Sequence, residues 1–171
     1  RKNPMVQKLL SFTPMYRTNR GSTPSLDFLL TQRDELKIQA IRFAMSCEGS
    51  VSIKRKKKTG FRYALRLACT HPALVPIWQK LFQDIGLKMY LDMDKDTWSG
   101  IHGITTGHKE AFRRFAQLGG FLPENVKVTN GKNIGLEKNE VLRKILVIIK
   151  NAKKTPASFL SVQLPEYFKI E

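Results

Sequence analysis

Acidic residues are scarce in this chain of 171 residues: 14 Asp and Glu stand against 30 Lys and Arg, for a formal net charge of +16. Solubility alone does not call for such an excess. It points to a polyanionic partner, nucleic acid ahead of an anionic membrane surface. Cysteine is scarce as well. Cys47 and Cys69 fall in largely apolar segments and read as core thiols rather than a disulfide, as expected of an intracellular protein. His71, His102 and His108 show no ligand spacing with either cysteine, so no zinc site is expected. No apolar run approaches the roughly 18–20 residues that span a bilayer. A basic amphipathic helix is missing too, so no membrane partner is expected. The N-terminus lacks the pattern of a secretory signal. Because the chain starts at Arg1 rather than Met, some native residues are expected to precede it. The length suits one ordinary domain with a proper core.

What is there falls into three parts. Residues 1–33 form a basic N-terminal arm broken by Pro4, Pro14, Gly21 and Pro24, with short helical pieces expected at Met5–Leu10 and Leu26–Leu30. Lys2, Lys8, Arg17 and Arg20 lie in it without periodicity, which suits a loosely docked tail and an arm along a phosphate backbone equally. Residues 34–152 are the core, and residues 153–171, with Pro156 and Pro165, are a tail.

The core begins with a helix that Thr31 can cap, with Asp34 three residues on. Ile38, Ala40, Ile41, Phe43, Ala44, Met45 and Cys47 make it apolar almost all round, so more than one of its sides should be covered. It ends by delivering one carboxylate, Glu48, beside Gly49. The C-terminal end of a helix carries partial negative charge, so a carboxylate there calls for a cation, and a hard divalent metal with oxygen ligands is the natural candidate.

A hairpin should follow. Val51 and Ile53 alternate with Ser50, Ser52, Lys54 and Lys56; Lys57–Gly60 supplies the turn; Phe61, Tyr63, Leu65, Leu67 and Cys69 alternate with Arg62, Ala64, Arg66, Ala68 and Thr70. Seven basic residues and no acidic one lie between Lys54 and Arg66. Leu74, Ile77, Trp78, Leu81, Phe82 and Ile85 keep a 3.6 period up to Gly86. Strands are expected at Leu87–Met93 and Thr97–Thr105, joined through Asp94–Lys95–Asp96. Next come a helix capped by Thr106 and stopped at Gly119–Gly120, and a last helix over Glu137–Asn151. The expected class is α+β, with a four-stranded antiparallel sheet and helices on one of its faces.

The run Ile41–Gly49, followed by Ser50–Val51–Ser52–Ile53, resembles the signature helix of the LAGLIDADG homing endonucleases. Glu48 stands at the motif's final acidic position and Gly49 at its last Gly, while Arg42, Phe43 and Ser46 depart from the usual residues. The Leu81–Gly86 helix end, the Trp98 strand and Gly119–Leu122 also fall where that family has similar features. The element order αββαββα, with a C-terminal helix added, is that of one of its half-domains.

The resemblance implies a Mg²⁺-dependent endonuclease that cuts both strands of a long, roughly palindromic duplex DNA site. The chain carries a single copy of the motif, which implies a homodimer packed through Ala40, Ala44, Met45 and Cys47. Glu48 and the carbonyl of Cys47 would ligate metal. Thr70 would order the nucleophilic water. One of Lys127, Lys132 or Lys138 would lie near the cleaved phosphate. The DNA-binding face would hold Ser50, Ser52, Lys54, Lys56, Arg62 and Arg66, joined by Lys88, Tyr90 and His102, with Lys57 and Lys58 on phosphates. Arg62 and Arg66 suit guanine, whose O6 and N7 match the guanidinium fork. An intracellular location follows, the cytoplasm of a prokaryote or an organelle. A relative that binds nucleic acid without cutting it, such as an intron RNA maturase or a DNA-binding regulator, is the alternative.

Overall fold

The computed structural model describes residues 20–56, 60–123, 126–129 and 131–151, together with Pro4, Gln7 and Ser11. All of the expected helix at Met5–Leu10 except Gln7, the hairpin tip Lys57–Thr59 and the tail from residue 152 lie outside the described residues. A short 3₁₀ helix, Asp27–Leu29, precedes α1 (Asp34–Glu48), β1 (Gly49–Lys56), β2 (Gly60–Ala68), α2 (Leu74–Asp84), β3 (Tyr90–Met93), β4 (Ile101–Thr106), α3 (Lys109–Gln117) and α4 (Lys138–Asn151). The class is α+β, and the strands form one four-stranded antiparallel sheet in the order β1-β2-β4-β3.

Two compact units share the chain: the described residues up to Ile41 with Ala68–Ile104, and Arg42–Leu67 with the described residues from Thr105 on. In the first, α2 buries Leu74, Val75, Ile77, Leu81 and Phe82, joined by Ile85, Leu87 and Met89. Gly86 ends α2 as its spacing predicts. At φ +80° it adopts the left-handed conformation that glycine takes without penalty, and the Leu87 amide turns back onto the Phe82 carbonyl at 2.8 Å.

In the second unit the hairpin's dry face, Val51, Ile53, Tyr63, Leu65 and Leu67, is buried along with Phe112, Phe115 and Phe121. Tyr63 meets Phe112 edge-on at 6.0 Å, and Phe115 meets Phe121 edge-on at 5.1 Å. Helix α4 contributes Val141, Leu142, Ile145, Ile148 and Ile149, packing against β1 and α3. Burying a side chain of that size fully is worth about 1.5–3 kcal/mol, so this one face anchors the hairpin.

Three expectations about local structure are corrected. Thr31 does not act as a forward cap: its hydroxyl donates back to the Phe28 carbonyl at 3.1 Å. Thr106 is one step removed from its helix, accepting from the His108 amide while α3 starts at Lys109. Trp98 lies in the β3–β4 connection rather than on a strand. That connection is longer than Asp94–Asp96 because Thr97 ties it shut, its one hydroxyl proton shared between the carbonyls of Asp94 and Ile101 at 2.9 Å each, with Gly100 at φ +73°. The Trp98 ring packs edge-on against His71 at 5.6 Å and stays 43% exposed.

Candidate nucleic-acid interface and the Glu48 helix end

Strand pairing decides what the hairpin presents. Ser50 pairs with Arg66, Ser52 with Ala64, and Lys54 with Arg62. Directly paired residues share a face of the sheet, and the buried set pairs separately as Val51 with Leu65 and Ile53 with Tyr63. Ser50, Ser52, Lys54, Arg62 and Arg66 therefore stand together on the face opposite the core. Ser50, Lys54 and Arg62 are exposed, and Ser52 and Arg66 half-buried. Lys56 continues the register opposite Gly60. Lys57 and Lys58 are outside the described residues.

The first unit carries the other expected contacts. Lys88 and Tyr90 are exposed, and the Lys88 ammonium lies 5.4 Å from the centre of the Tyr90 ring. His102 does not fit the expectation of an open face. It has the strand parity of the buried Ile104 and Thr106, and its Nδ1 lies 3.5 Å from Asp94. Thr70 is half-buried just past β2, and its carbonyl accepts the Ser99 hydroxyl.

Glu48 is the last residue of α1, exposed, and Gly49 opens β1 with no residue between. So abrupt a change leaves no room for a side chain at position 49. A Cβ there would lie 2.4 Å from the Met45 carbonyl oxygen.

Helix α1 is held from the side by Arg42 and Ser46, two of the three residues at which it departs from the pattern it resembles. The Arg42 guanidinium donates to the carbonyls of Gly120 at 3.1 Å, Gly119 at 3.2 Å and Phe121 at 3.4 Å. Ser46 donates to the Arg42 carbonyl at 2.7 Å and accepts from the Leu122 amide at 2.8 Å. Asn139 closes the same loop, accepting from the Phe121 amide and donating to its carbonyl, both at 3.0 Å. Gly119 and Gly120 take the left-handed conformation (φ +96° and +61°) that side chains disfavour, and a Cβ on either would also displace the Arg42 or Asn139 side chain.

The three candidate lysines separate clearly. Lys127 and Lys132 are exposed, whereas Lys138 is 6% exposed. Its ammonium donates to the Ser46 carbonyl at 2.8 Å and the Gly49 carbonyl at 2.7 Å, and sits 5.6 Å from the centre of the Phe121 ring. The last carbonyls of a helix have no partner within it, and here a lysine from α4 supplies one. Burial pushes the Lys138 ammonium below the usual lysine range, and the nearby Cys47 and Glu48 pull it part of the way back. The cation that the electrostatics of Glu48 called for is thus present, as an ammonium of the same chain. Sequence reasoning placed Lys138 among the candidates near phosphate; its packing against α1 could not be read there.

A divalent metal was expected at this helix end. Among the described residues no three His, Cys, Asp or Glu side chains are grouped to hold one, and Lys138 occupies the Ser46 and Gly49 carbonyls. Of the two expected ligands in one chain, Glu48 supplies the one carboxylate, beside the Cys47 carbonyl, which Lys138 does not occupy. That fits Mg²⁺ held by one or two carboxylates plus substrate phosphates, and not a self-contained protein cage.

The outer surface of α1 also differs from expectation. Met45 is fully buried in its own chain, so it has no surface to give a partner. Leu36 is 46% exposed and Phe43 61% exposed, and Cys47 is exposed. With the half-buried Ala40, these fall on one stripe at helical spacing. Compared with profiles of known protein families, with curated proteins and with solved structures, the chain matches none.

Proposed function

We propose that the chain is a site-specific, metal-dependent DNA endonuclease of the LAGLIDADG homing type that works as a homodimer. The observation that carries the reading is the joining of an exposed carboxylate, Glu48, without a linker to a hairpin whose open face bears Lys54, Arg62 and Arg66 in register. A two-stranded ribbon fits the major groove of B-DNA, where each base pair presents a distinct pattern of donors and acceptors. Arg62 and Arg66 read guanine edges there; Lys54 and the tip lysines Lys57 and Lys58 hold phosphates and set the register. The stripe Leu36–Ala40–Phe43–Cys47 packs against its copy across a two-fold axis, which brings two Glu48 carboxylates together. Bound Mg²⁺ would supply Lewis-acid stabilisation and an activated water at the phosphate. Glu48 would hold it, and the hairpin would fix which phosphate lies beside that carboxylate.

The test is incubation with a library of candidate duplexes and Mg²⁺. Double-strand cuts that vanish in Glu48→Gln, with binding retained, support the nuclease. Tight binding without cuts favours the non-cleaving module, and absence of duplex binding sinks both. Arg62→Ala separates reading from cutting: it should weaken binding by about 1–3 kcal/mol and relax discrimination at one base pair, while leaving thermal stability within about 0.5 kcal/mol.

A further inference from the structure

Burying an ammonium is costly unless oxygen atoms converge on it. At the end of α1 the converging atoms are Ser46 O and Gly49 O, at 2.8 and 2.7 Å, and these two residues flank Cys47 and Glu48 in the chain. Hard carbonyl oxygens beside a carboxylate, at the negative end of a helix, are also the surroundings that a divalent ion selects. Room there is limited, since Gly49 already abuts the Met45 backbone. An ammonium held on those oxygens repels a second cation and occupies two carbonyls that could otherwise turn to it.

We propose that Lys138 is the resident cation of the Glu48 helix end, so that the free chain binds divalent metal poorly at Glu48 and acquires it only when nucleic-acid phosphates add their oxygens. The phosphate half rests on the nuclease reading; the lysine half does not. Metal binding and duplex binding are then linked, each strengthening the other by the same factor. Cleavage would be confined to the bound complex.

The experiment is Tb³⁺ luminescence, which reports hard-oxygen sites and needs no turnover, on the full chain. Wild type should bind weakly at Glu48. Lys138→Met should bind about tenfold more tightly or better, because a repelling unit charge has gone and two carbonyls are released. That gain should vanish in Lys138→Met/Glu48→Gln, and Lys138→Arg should resemble wild type. Should Lys138→Met not fold by circular dichroism, Lys138→Gln takes its place. Adding a short duplex should tighten Tb³⁺ binding by about tenfold in wild type, and not in Glu48→Gln.

Glu48-dependent binding by the free wild type as tight as by Lys138→Met overturns the proposal. Fluorescence anisotropy of the labelled duplex, recorded in the same titration, keeps the two readings apart. A duplex that does not bind sinks the nuclease reading, and the Lys138 variants then decide the resident cation alone. A duplex that binds without tightening Tb³⁺ overturns the linkage proposed here and leaves DNA binding intact.

Discussion

The two ends of α1 each meet a buried lysine, and the two are stabilised in different ways. Lys37, in the first half of the helix, is 8% exposed and donates to Asp84 at 2.8 Å; Lys80 reaches the other oxygen of that carboxylate at 2.9 Å. Lys138, against the last turn, is 6% exposed and donates to two backbone carbonyls. The first lysine therefore donates to a full countercharge, the second to backbone carbonyls at a helix end, with the Glu48 carboxylate acting on it without a hydrogen bond between them. The carboxyl of Asp84 is held below the usual carboxylate range by the hydrogen bond from Lys37, then by that from Lys80. At the other end, burial depresses the lysine itself. One site is an ion pair; the other is a cap whose cap happens to be charged.

Removing each lysine sharpens the contrast. Lys138→Met leaves two buried carbonyls without their donor, at about 1–3 kcal/mol apiece, so a loss of about 2–6 kcal/mol is expected in urea denaturation. Lys37→Met should cost less, because Asp84 keeps Lys80 and is not left as an uncompensated charge. The opposite order of effects would mean that the carbonyls find other partners, and the description of Lys138 as a cap would fail.

That contrast also marks how far the sequence could be read. The hairpin was legible because alternation assigns each residue a face, and the register puts Lys54 opposite Arg62 and Ile53 opposite Tyr63 as alternation requires. Gly86 and the Gly119–Gly120 stop were legible because positive φ selects glycine. The need for a cation near Glu48 was also legible from helix electrostatics. Its identity was not, since Lys138 lies 92 residues from Ser46 and no local pattern reports such a contact.

Helix α1 misled for a related reason. A helix apolar all round does not say which stripe its own chain covers, so Met45 was expected at a partner surface and Phe43 carries that exposure instead. Arg42 and Ser46 looked like departures from a motif, and each proves to bind the Gly119–Leu122 loop. His102 shares the strand parity of the buried Ile104 and Thr106 wherever β4 begins, and its Nδ1 lies 3.5 Å from Asp94, so it does not join the open face expected for it.

The smallest effect is the most discriminating, because the two lysine sites should respond to pH in different windows. Asp84 has a lowered folded value, so the unfolded chain takes up its proton first as pH falls. The stability it contributes is whole above the ordinary carboxylate range, near pH 4, and is lost as pH drops through the folded value below that. Asp84→Asn should therefore differ from wild type at neutral pH and converge with it in acid. Lys138 also has a lowered folded value, but as a base the consequence is opposite in placement. Between that value and the ordinary lysine value, about 10.4, the unfolded chain holds the proton that the folded chain has released, so stability rises with pH across the window. Subtracting the Lys138→Met curve from wild type isolates that rise from other titrations. A difference that falls through the alkaline window instead would show that the charges at Cys47 and Glu48 outweigh burial, and Lys138 would then belong with Lys37 as half of an ion pair.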